Sequence, residues 1–451
     1  MGKIFGTDGI RCIVNTEPLT AETTLKISKT VGYLLKSKKS NNSRVIICKD
    51  TRLSGYLYEP LITAGFISMG MEVILVGPLP TPAVPHLMRT LRADIGVMIT
   101  ASHNTYEYNG IKFFNLDGFK ISAKLEKEIE NIVLNKKKYS KILNNNDKTG
   151  KAIRLEDASG RYSEFLKGTL NKNIKTKKLK IVLDCGNGAT YDIAPSIFWE
   201  LGHQVVSINN KPNGKNINYN CGAVNVGSLC KKVVEEKADI GFAFDGDGDR
   251  LIVVDDKGNE IDGDKIIALF AKYLIIEKKT ASKFPVVTTV MSNLGLENFL
   301  LKDLGIKLKR SPVGDINVIE EMKKNKSFLG GEQSGHIILS DFSKTGDGIL
   351  AALKITEIMS IIKKSSSSIF DLYDNLPQIK VNISYKKISE KTKKNIKDLN
   401  KKNRRDKKIR VLIRLSGTEP LIRLLVEGQD LKIVEQKAKN LELEIRNIIG
   451  Q

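Results

Sequence analysis

The sequence predicts an α/β protein of four domains, three alike and one different. Three observations predict it. Apolar runs of strand length alternate with amphipathic helical windows, the pattern of βαβ units with largely parallel sheets. That alternation starts afresh three times along the chain. After a serine-rich stretch near residue 365 it gives way to strands and helices in another order.

The first cycle opens with "RVIICKD" (44–50), a strand without charge at its centre, and a helical window over about 56–69. "MEVILVG" (71–77) and "ADIGVMIT" (93–100) follow as strands. The second cycle holds "KLKIVLDCGNGA" (178–189), a helix through Ser196–Leu201, "HQVVSIN" (203–209) and "ADIGFAFDGDGDR" (238–250). The third holds "FPVVTTV" (284–290), a helix near 294–304, "IKLKR" (306–310) and "SFLGGEQSGH" (327–336). Twice a strand that begins "ADIG" runs into a polar motif, "ITASHN" and "FDGDGD", so related units each present a loop at a strand's carboxyl end. Open α/β sheets bind ligands there. The lysine- and asparagine-rich 135–152 and "KKSSSSIFDLYDNLPQ" (363–378) read as connectors. Beyond the second come "KVNISY", a long polar helix, two strands around a tight turn in "IRVLIRLSGTEPLIRLLVEG" and a closing helix (431–449), a small α+β domain. The expected boundaries are 1–150, 151–256, 257–370 and 371–451.

Composition excludes several classes. A chain of 451 residues with 41% hydrophobic and 27% charged residues is globular, neither disordered nor membrane-embedded. Its longest apolar stretch, "IIALFAKYLII" (266–276), is too short to cross a bilayer and contains Lys272, so no membrane partner is expected. "MGKIFGTDGIR" has no apolar signal core, which predicts a cytoplasmic protein. Cys12, Cys48, Cys185, Cys221 and Cys230 are odd in number and scattered, unlike a disulfide framework or a zinc site. The net charge of +22 resides largely in runs such as "NKKKYSKILNNNDK" and "KKNRRDKK". Such runs are solvated faces, and no nucleic-acid-binding motif focuses them, so nucleic acid is not the expected partner.

The sharpest chemical signal is "FDGDGDRL" (244–251). Asp245, Asp247 and Asp249 alternate with glycines that let the backbone curve tightly, so three carboxylates can converge. Three such groups repel one another unless a hard dication lies between them. An EF-hand is ruled out, because Arg250 stands where the loop glycine is required and Asp256 where the bidentate Glu is required. Three carboxylates leave coordination places open, which suits Mg²⁺ shared with a phosphate oxygen. In "RLSGTEPLIR" (414–423), Arg414, Ser416, Gly417, Thr418 and Arg423 offer guanidinium forks, hydroxyls and free backbone N–H groups. A phosphate ester needs these donors, and an ordinary hairpin loop remains the alternative. "GGEQSGH" (330–336) gathers Glu332, Gln333, Ser334 and His336, able to bind sugar hydroxyls or an amine. "GTDGIR" (6–11) ends in Arg11, a candidate phosphate ligand.

Ser102, in "ITASHNTYEYNGIKFF" (99–114), is either a turn-former or a reactive hydroxyl. The stretch is not the GxSxG elbow of a hydrolase, and His103, adjacent in sequence, is not expected to point back at it. A metal turn, a phosphate cradle and a polyol-binding loop in one chain favour a serine that carries a phosphoryl group.

In these motifs and their order, from "FGTDGIR" at residue 5 to "RLSGTEPLIRLLVEG" ending at 428, the chain resembles the α-D-phosphohexomutases. The resemblance implies a heart-shaped molecule of four domains around a central cleft, each contributing a loop. It implies that Ser102 is the phosphoserine and that Asp245, Asp247 and Asp249 bind one Mg²⁺, with the phosphate on Ser102 a further ligand. Glu332 and Ser334 would hold the sugar hydroxyls, and the Arg414–Arg423 motif the non-reacting phosphate. Arg11, Lys112 and His336 match positions for phosphate positioning or proton transfer. The glutamine of "GEQSGH" and "TTVMSNLGLE" (288–297) resemble the glucosamine-specific members; mannose-type relatives tend to read "GEMS". The implied reaction interconverts glucosamine 6-phosphate and glucosamine 1-phosphate through glucosamine 1,6-bisphosphate, both intermediate and activator, and supplies UDP-N-acetylglucosamine for cell walls. Three positions depart from the family pattern: Cys12 for a glycine, Thr105 for a proline and Ile316 for an arginine. A mutase for another hexose phosphate and a catalytically idle basic binding protein are the rival readings. Oligomeric state is not encoded legibly, and a homodimer stays open.

Overall fold

The computed structural model describes residues 4–6, 8–36, 43–143, 149–174, 177–275, 284–386, 388–403, 409–416 and 420–450. Four sheets follow one another along the chain. The first has six strands in the order Ile10–Ile13, Tyr108–Phe114, Ile95–Ile99, Arg44–Lys49, Glu72–Pro78 and Ala152–Arg154. The second runs Glu260–Ile261, Leu251–Asp255, Ile240–Phe244, Lys180–Asp184, Gln204–Ile208. The third runs Leu308–Ser311, Val286–Thr289, Leu329–Gly331, Ile337–Leu339, and the fourth Gln378–Ser384, Leu421–Gly428, Ile409–Leu415.

The expectation of largely parallel sheets holds for one side of each of the first three, where parallel pairs run out to the edge strands Ala152–Arg154, Gln204–Ile208 and Leu308–Ser311; the other side is antiparallel, as is all of the fourth sheet. In each of the first three, a strand with a parallel neighbour turns directly into an antiparallel one: Ile95–Ile99 into Tyr108–Phe114, Ile240–Phe244 into Leu251–Asp255, Leu329–Gly331 into Ile337–Leu339. "TASHN", "DGDGD" and "EQSGH" are these three connections. The repeat seen in sequence is therefore one structural device used three times, a polar loop at the carboxyl end of a buried strand. Ile95–Ile99 and Ile240–Phe244 are buried at every residue, which is why they read as continuous apolar runs.

Helices predicted near 56–69, 196–201 and 294–304 span Gly55–Ile67, Ile193–Glu200 and Leu294–Lys302. The closing helix is Leu431–Ile449. Side-chain caps mark several starts: Thr20, Ser122, Asp262, Asn293, Asp347 and Asp430 each accept an N–H of the helix that follows. The stretch 135–152 is more than a connector. It contains a helix, Lys136–Leu143, and leads into the edge strand Ala152–Arg154, parallel to Glu72–Pro78. Likewise 363–378 contains the short helix Ser366–Phe370.

One apolar cluster runs continuously from Ile46 to Phe370 and so joins the first three units. The last unit has its own core, built from Ile383, Val411, Ile413, Ile422, Leu424 and Val426 of its sheet and Val434, Leu441 and Ile445 of its closing helix. No helix among the described residues is long and apolar enough to cross a membrane.

Candidate functional site

A cavity of about 710 Å³ opens where the loops of all four units meet. Arg11, Ser102, Asp249, Glu332, His336 and Arg423 line it together. These are six of the residues singled out in the sequence, drawn from stretches more than 400 positions apart.

Ser102 is buried and adopts a left-handed backbone conformation, φ +50°, costly for a residue with a Cβ. The loop around it is over-determined. Arg52, itself buried, donates through Nε to Asp50 at 2.8 Å and through its terminal nitrogens to the carbonyls of Ser102 at 3.0 Å, Asn104 at 2.8 Å, Tyr108 at 2.9 Å and Thr105. Asn218, from the second unit, donates to the carbonyls of Ser102 and Asn104 at 2.8 and 2.9 Å. The resulting turn aims Ser102 Oγ at Asp245 Oδ2, to which it donates at 2.8 Å. It also brings His103 Nδ1 to 3.5 Å from that oxygen, against the expectation that His103 would point away. Burial, then the charges of Arg250 and Arg11, lowers His103 to about 3, so its ring is neutral near pH 7.

The aspartate turn packs directly against the serine loop. A Cβ on Gly246 would lie 2.6 Å from the Ser102 carbonyl oxygen, and Gly248 sits at φ +68°, so both glycines are required by geometry. Asp245, Asp247 and Asp249 are buried and offer oxygens that all lie within 4.8 Å of one another. Among the described residues neither Asp247 Oδ1 nor Asp249 Oδ1 has a hydrogen-bond partner, and Asp249 Oδ1 has the looser ion-pair neighbours His336 Nδ1 at 3.6 Å and Arg250 Nε at 4.0 Å. Burial, then the charges of Asp249 and Asp247, pushes Asp245 well above the usual carboxylate range. Crowded hard oxygens with unsatisfied lone pairs fit a small dication, and these three residues would hold it.

Cations already balance part of this charge. Lys112 Nζ, fully enclosed, lies 2.8 Å from Asp247, 3.4 Å from Asp249 and 3.3 Å from Asp8. Burial alone would depress this ammonium, but the three carboxylates outweigh it and hold it well above its ordinary value. Lys112 is thus a fixed positive charge rather than a free base. Asp249 is held well below its usual range, since Lys112, His336 and Arg250 outweigh the cost of burial. His336 Nε2 accepts the Gly346 N–H at 3.1 Å, which leaves Nδ1 facing Asp249. Burial alone would depress the His336 imidazole, but the carboxylates of Asp249, Asp315 and Glu332 outweigh it and raise it, so that His336 supports Asp249 as a cationic neighbour.

The phosphate-type residues separate into two groups. Arg11 donates to Asp8 at 2.8 Å and Asn104 at 3.2 Å, and stands beside the serine loop. Arg414 and Arg423 face each other across neighbouring antiparallel strands. Like charges directly opposite destabilise a strand pair. Burial and then the charge of Arg423 lowers Arg414, whose buried Nε has no hydrogen-bond partner among the described residues. An anion between the two would remove that conflict. Ser416 donates its N–H to the Leu421 carbonyl at 2.7 Å, whereas Gly417 and Thr418 lie outside the described residues. Glu332 accepts from the Gly314 N–H at 3.1 Å. Ser334 is exposed and does not line the cavity.

Of the departures, Cys12 sits in the regular strand Ile10–Ile13 paired with Asn109, where a glycine is not needed. Thr105 gives its carbonyl to Arg52. Ile316 lies in the first turn of the helix Asp315–Asn325, and nothing in the structure explains the loss of the arginine. Sequence reasoning missed Arg52, Asn218, Asp8, Lys120 and Asp315. Lys120 pairs with both Asp8 and Asp315, joining the first unit to the third.

Family models describe the same four units. The phosphoglucomutase/phosphomannomutase alpha/beta/alpha domains I, II and III match residues 2–140, 160–258 and 262–378, and the C-terminal domain of that family matches 378–443. The chain is 47% identical over 447 residues to a phosphoglucosamine mutase of Parvibaculum lavamentivorans, covering 99% of both chains. Its fold is similar to that of a phosphoglucomutase/phosphomannomutase family protein from Burkholderia thailandensis, with TM-score 0.82, 23% identity and coverage of 99% and 97%. It is also similar to Aspergillus fumigatus N-acetylphosphoglucosamine mutase in complex with GlcNAc-6P and magnesium, with TM-score 0.62, 16% identity and coverage of 99% and 96%. The four matched domains and this full-length identity place the chain in the phosphoglucomutase/phosphomannomutase family, the α-D-phosphohexomutases.

Proposed function

We propose that this chain is an isomerase, an intramolecular phosphotransferase that interconverts glucosamine 6-phosphate and glucosamine 1-phosphate by way of a phosphoserine at Ser102. The observation that carries the proposal is the placing of Ser102 Oγ, 2.8 Å from a three-aspartate cluster, in a cavity that also reaches Arg423. One end of such a cavity suits a phosphoryl group that moves, and the other a phosphate that anchors. The nearly full-length identity to a phosphoglucosamine mutase supports the amino sugar as substrate.

In this reading the units 1–150, 151–256, 257–370 and 371–451 supply the serine, aspartate, sugar and phosphate loops in turn. Glucosamine 6-phosphate is anchored by its phosphate at Arg414, Ser416 and Arg423, with Gly417 and Thr418 of the same motif, and by its hydroxyls at Glu332. Its O1 attacks the phosphoryl group on Ser102; the bond to O1 forms as the bond to Oγ breaks, the electron pair of the broken bond goes to Oγ, and the proton that O1 loses ends on Oγ. Glucosamine 1,6-bisphosphate then turns over in the cavity and returns its 6-phosphoryl group to Ser102, releasing glucosamine 1-phosphate, the precursor of amino-sugar nucleotides for the cell wall. Asp245, Asp247 and Asp249 would hold a Mg²⁺, which would supply positive charge against the phosphoryl and leaving oxygens. Lys112 adds a fixed positive charge, Arg11 steadies the phosphoryl group, and His336 keeps Asp249 aligned. A loose phosphoryl-transfer transition state asks more of such positioning than of a strong base.

The test is turnover with separate hexose phosphates in the presence of Mg²⁺ and the matching bisphosphate. Glucosamine phosphate should have a much higher kcat/KM than glucose or mannose phosphate. Parity or reversal would make the chain a general hexose-phosphate mutase.

A further inference from the structure

The glutamine that sets "GEQSGH" apart from "GEMS" does not line the cavity. Both ends of its amide are engaged elsewhere. Gln333 Oε1 accepts from Lys380 Nζ at 2.9 Å, and Nε2 donates to Asp262 Oδ2 at 3.0 Å. The chemistry fixes the amide's orientation, because an ammonium can only donate and a carboxylate can only accept. Asp262 also caps the helix Gly263–Phe270 by accepting the Lys265 N–H at 3.1 Å, so one end of the bridge is anchored to the third unit.

The other end stands on the sheet that carries the arginine pair. In Gln378–Ser384, Gln378 is opposite Glu427, Lys380 opposite Leu425 and Asn382 opposite Arg423. Strand alternation puts Gln378, Lys380, Asn382, Arg410, Arg414, Arg423 and Glu427 on one face, and Ile383, Val411, Ile413, Ile422, Leu424 and Val426 on the face toward the C-terminal core. Along that first face the sheet is joined to the third unit at its Glu427 end. Glu427, fully buried, accepts from Arg410 at 2.6 Å and from the Leu294 N–H at 2.8 Å, while Arg410 donates to the Ser292 carbonyl at 2.9 Å. Arg423 lies four residues from this joint, about 13 Å at a strand's rise of roughly 3.3 Å per residue.

The joint at the Glu427 end fixes where the sheet attaches, and the sheet's apolar cluster is separate from the one that joins the first three units; its tilt is left to what meets the rest of that face, where Leu412 and Leu425 are also buried. A second contact halfway along the lever fixes the tilt. We propose that Gln333 is a positioning residue for the anchored phosphate: through Lys380 it sets the angle of the C-terminal sheet, hence the place of Arg423, and it does not read the sugar. This rests on the reading of the arginine pair as the phosphate anchor.

Gln333→Ala, Lys380→Met and the double variant separate the alternatives, with kcat and KM measured for glucosamine 6-phosphate and glucose 6-phosphate. Each single change should lower kcat/KM for both sugars by the same factor, about five-fold for one exposed charge-assisted hydrogen bond, chiefly through KM. The glucosamine-to-glucose ratio should hold within about two-fold, the double variant should fall no further than either single one, and Lys380→Arg should retain wild-type values. A ten-fold change in the sugar ratio with Gln333→Ala but none with Lys380→Met would overturn the proposal, as would losses that multiply in the double variant. If Gln333→Ala fails to fold, Lys380→Met alone decides: unchanged kinetics would overturn the proposal. Absence of turnover of any hexose phosphate by the unmodified chain would sink the functional reading instead. Amide exchange in residues 378–384 then reads the strap, and equal protection in all variants would refute it.

Discussion

Arg414→Met should weaken substrate capture while leaving the ligand-free protein as stable or more so. Arg414 and Arg423 are cross-strand neighbours, and Arg414 is pushed down by burial and then by the charge of Arg423. A like-charged pair directly opposite costs a strand pair about 0.2–1 kcal/mol, and truncating one member recovers it. The methionine keeps most of the apolar stem, so little packing is lost. In the complex the balance reverses. A hydrogen bond from a guanidinium to a phosphate is worth about 1.5–3 kcal/mol, equivalent to about a 10- to 150-fold loss in kcat/KM. Chemical unfolding with and without phosphate, together with steady-state kinetics on glucosamine 6-phosphate, reads both sides. Phosphate should stabilise the unmodified chain and much less the variant, since a ligand stabilises only the state it binds. Arg414→Lys, which keeps the charge but not the fork, should fall between the two. A variant that is destabilised without phosphate yet keeps kcat/KM within about two-fold would show that the arginines serve the hairpin and not a ligand.

Asp247→Asn should fold, because backbone bonds such as Thr81 N–H to the Asp247 carbonyl at 2.8 Å survive. It should lose activity by at least about 100-fold and need more Mg²⁺, as one hard ligand is gone; near-normal turnover at limiting Mg²⁺ would remove Asp247 from the metal set. Asp264, buried beside the joint at Asn293, is raised to about 7 by burial and then by Asp262. Its contribution to stability is therefore fully present below about pH 4, the unfolded value, and is lost as pH rises toward 7. Asp264→Asn should flatten that slope between about pH 4 and pH 7 by on the order of a few kcal/mol in denaturant unfolding, and matching pH profiles would contradict the assignment.

The sequence made the loops legible where their chemistry is written locally. Three aspartates interleaved with glycines can be read from the five residues 245–249, and the turn they occupy follows from the buried strand before them. The supports of the serine loop were not legible for a physical reason. Arg52 and Asn218 act on backbone carbonyls, which leave no trace in side-chain pattern, and they lie 50 and 116 residues from Ser102. The approach of His103 to Ser102 Oγ depends on the left-handed turn at Ser102, a conformation serine does not advertise. Ala152–Arg154 escaped because all three residues of this edge strand are exposed, so no alternation marks it within a lysine-rich stretch. Gln333 was legible as a signature but not as a contact. Its partner Lys380 belongs to another unit, and one surface lysine among 73 basic residues carries no address.

The central claim is that Ser102 carries the phosphoryl group, and phosphopeptide mapping tests it most directly. Trypsin should release residues 93–112, which contain Thr100, Ser102 and Thr105. After incubation with glucosamine 1,6-bisphosphate labelled in its phosphates, the account predicts one phosphoryl group in this peptide, on Ser102. It also predicts discharge of that group by added glucosamine 6-phosphate, and no label in Ser102→Ala. Label on another residue, or full turnover by Ser102→Ala, would contradict it and leave Ser102 a turn-forming residue.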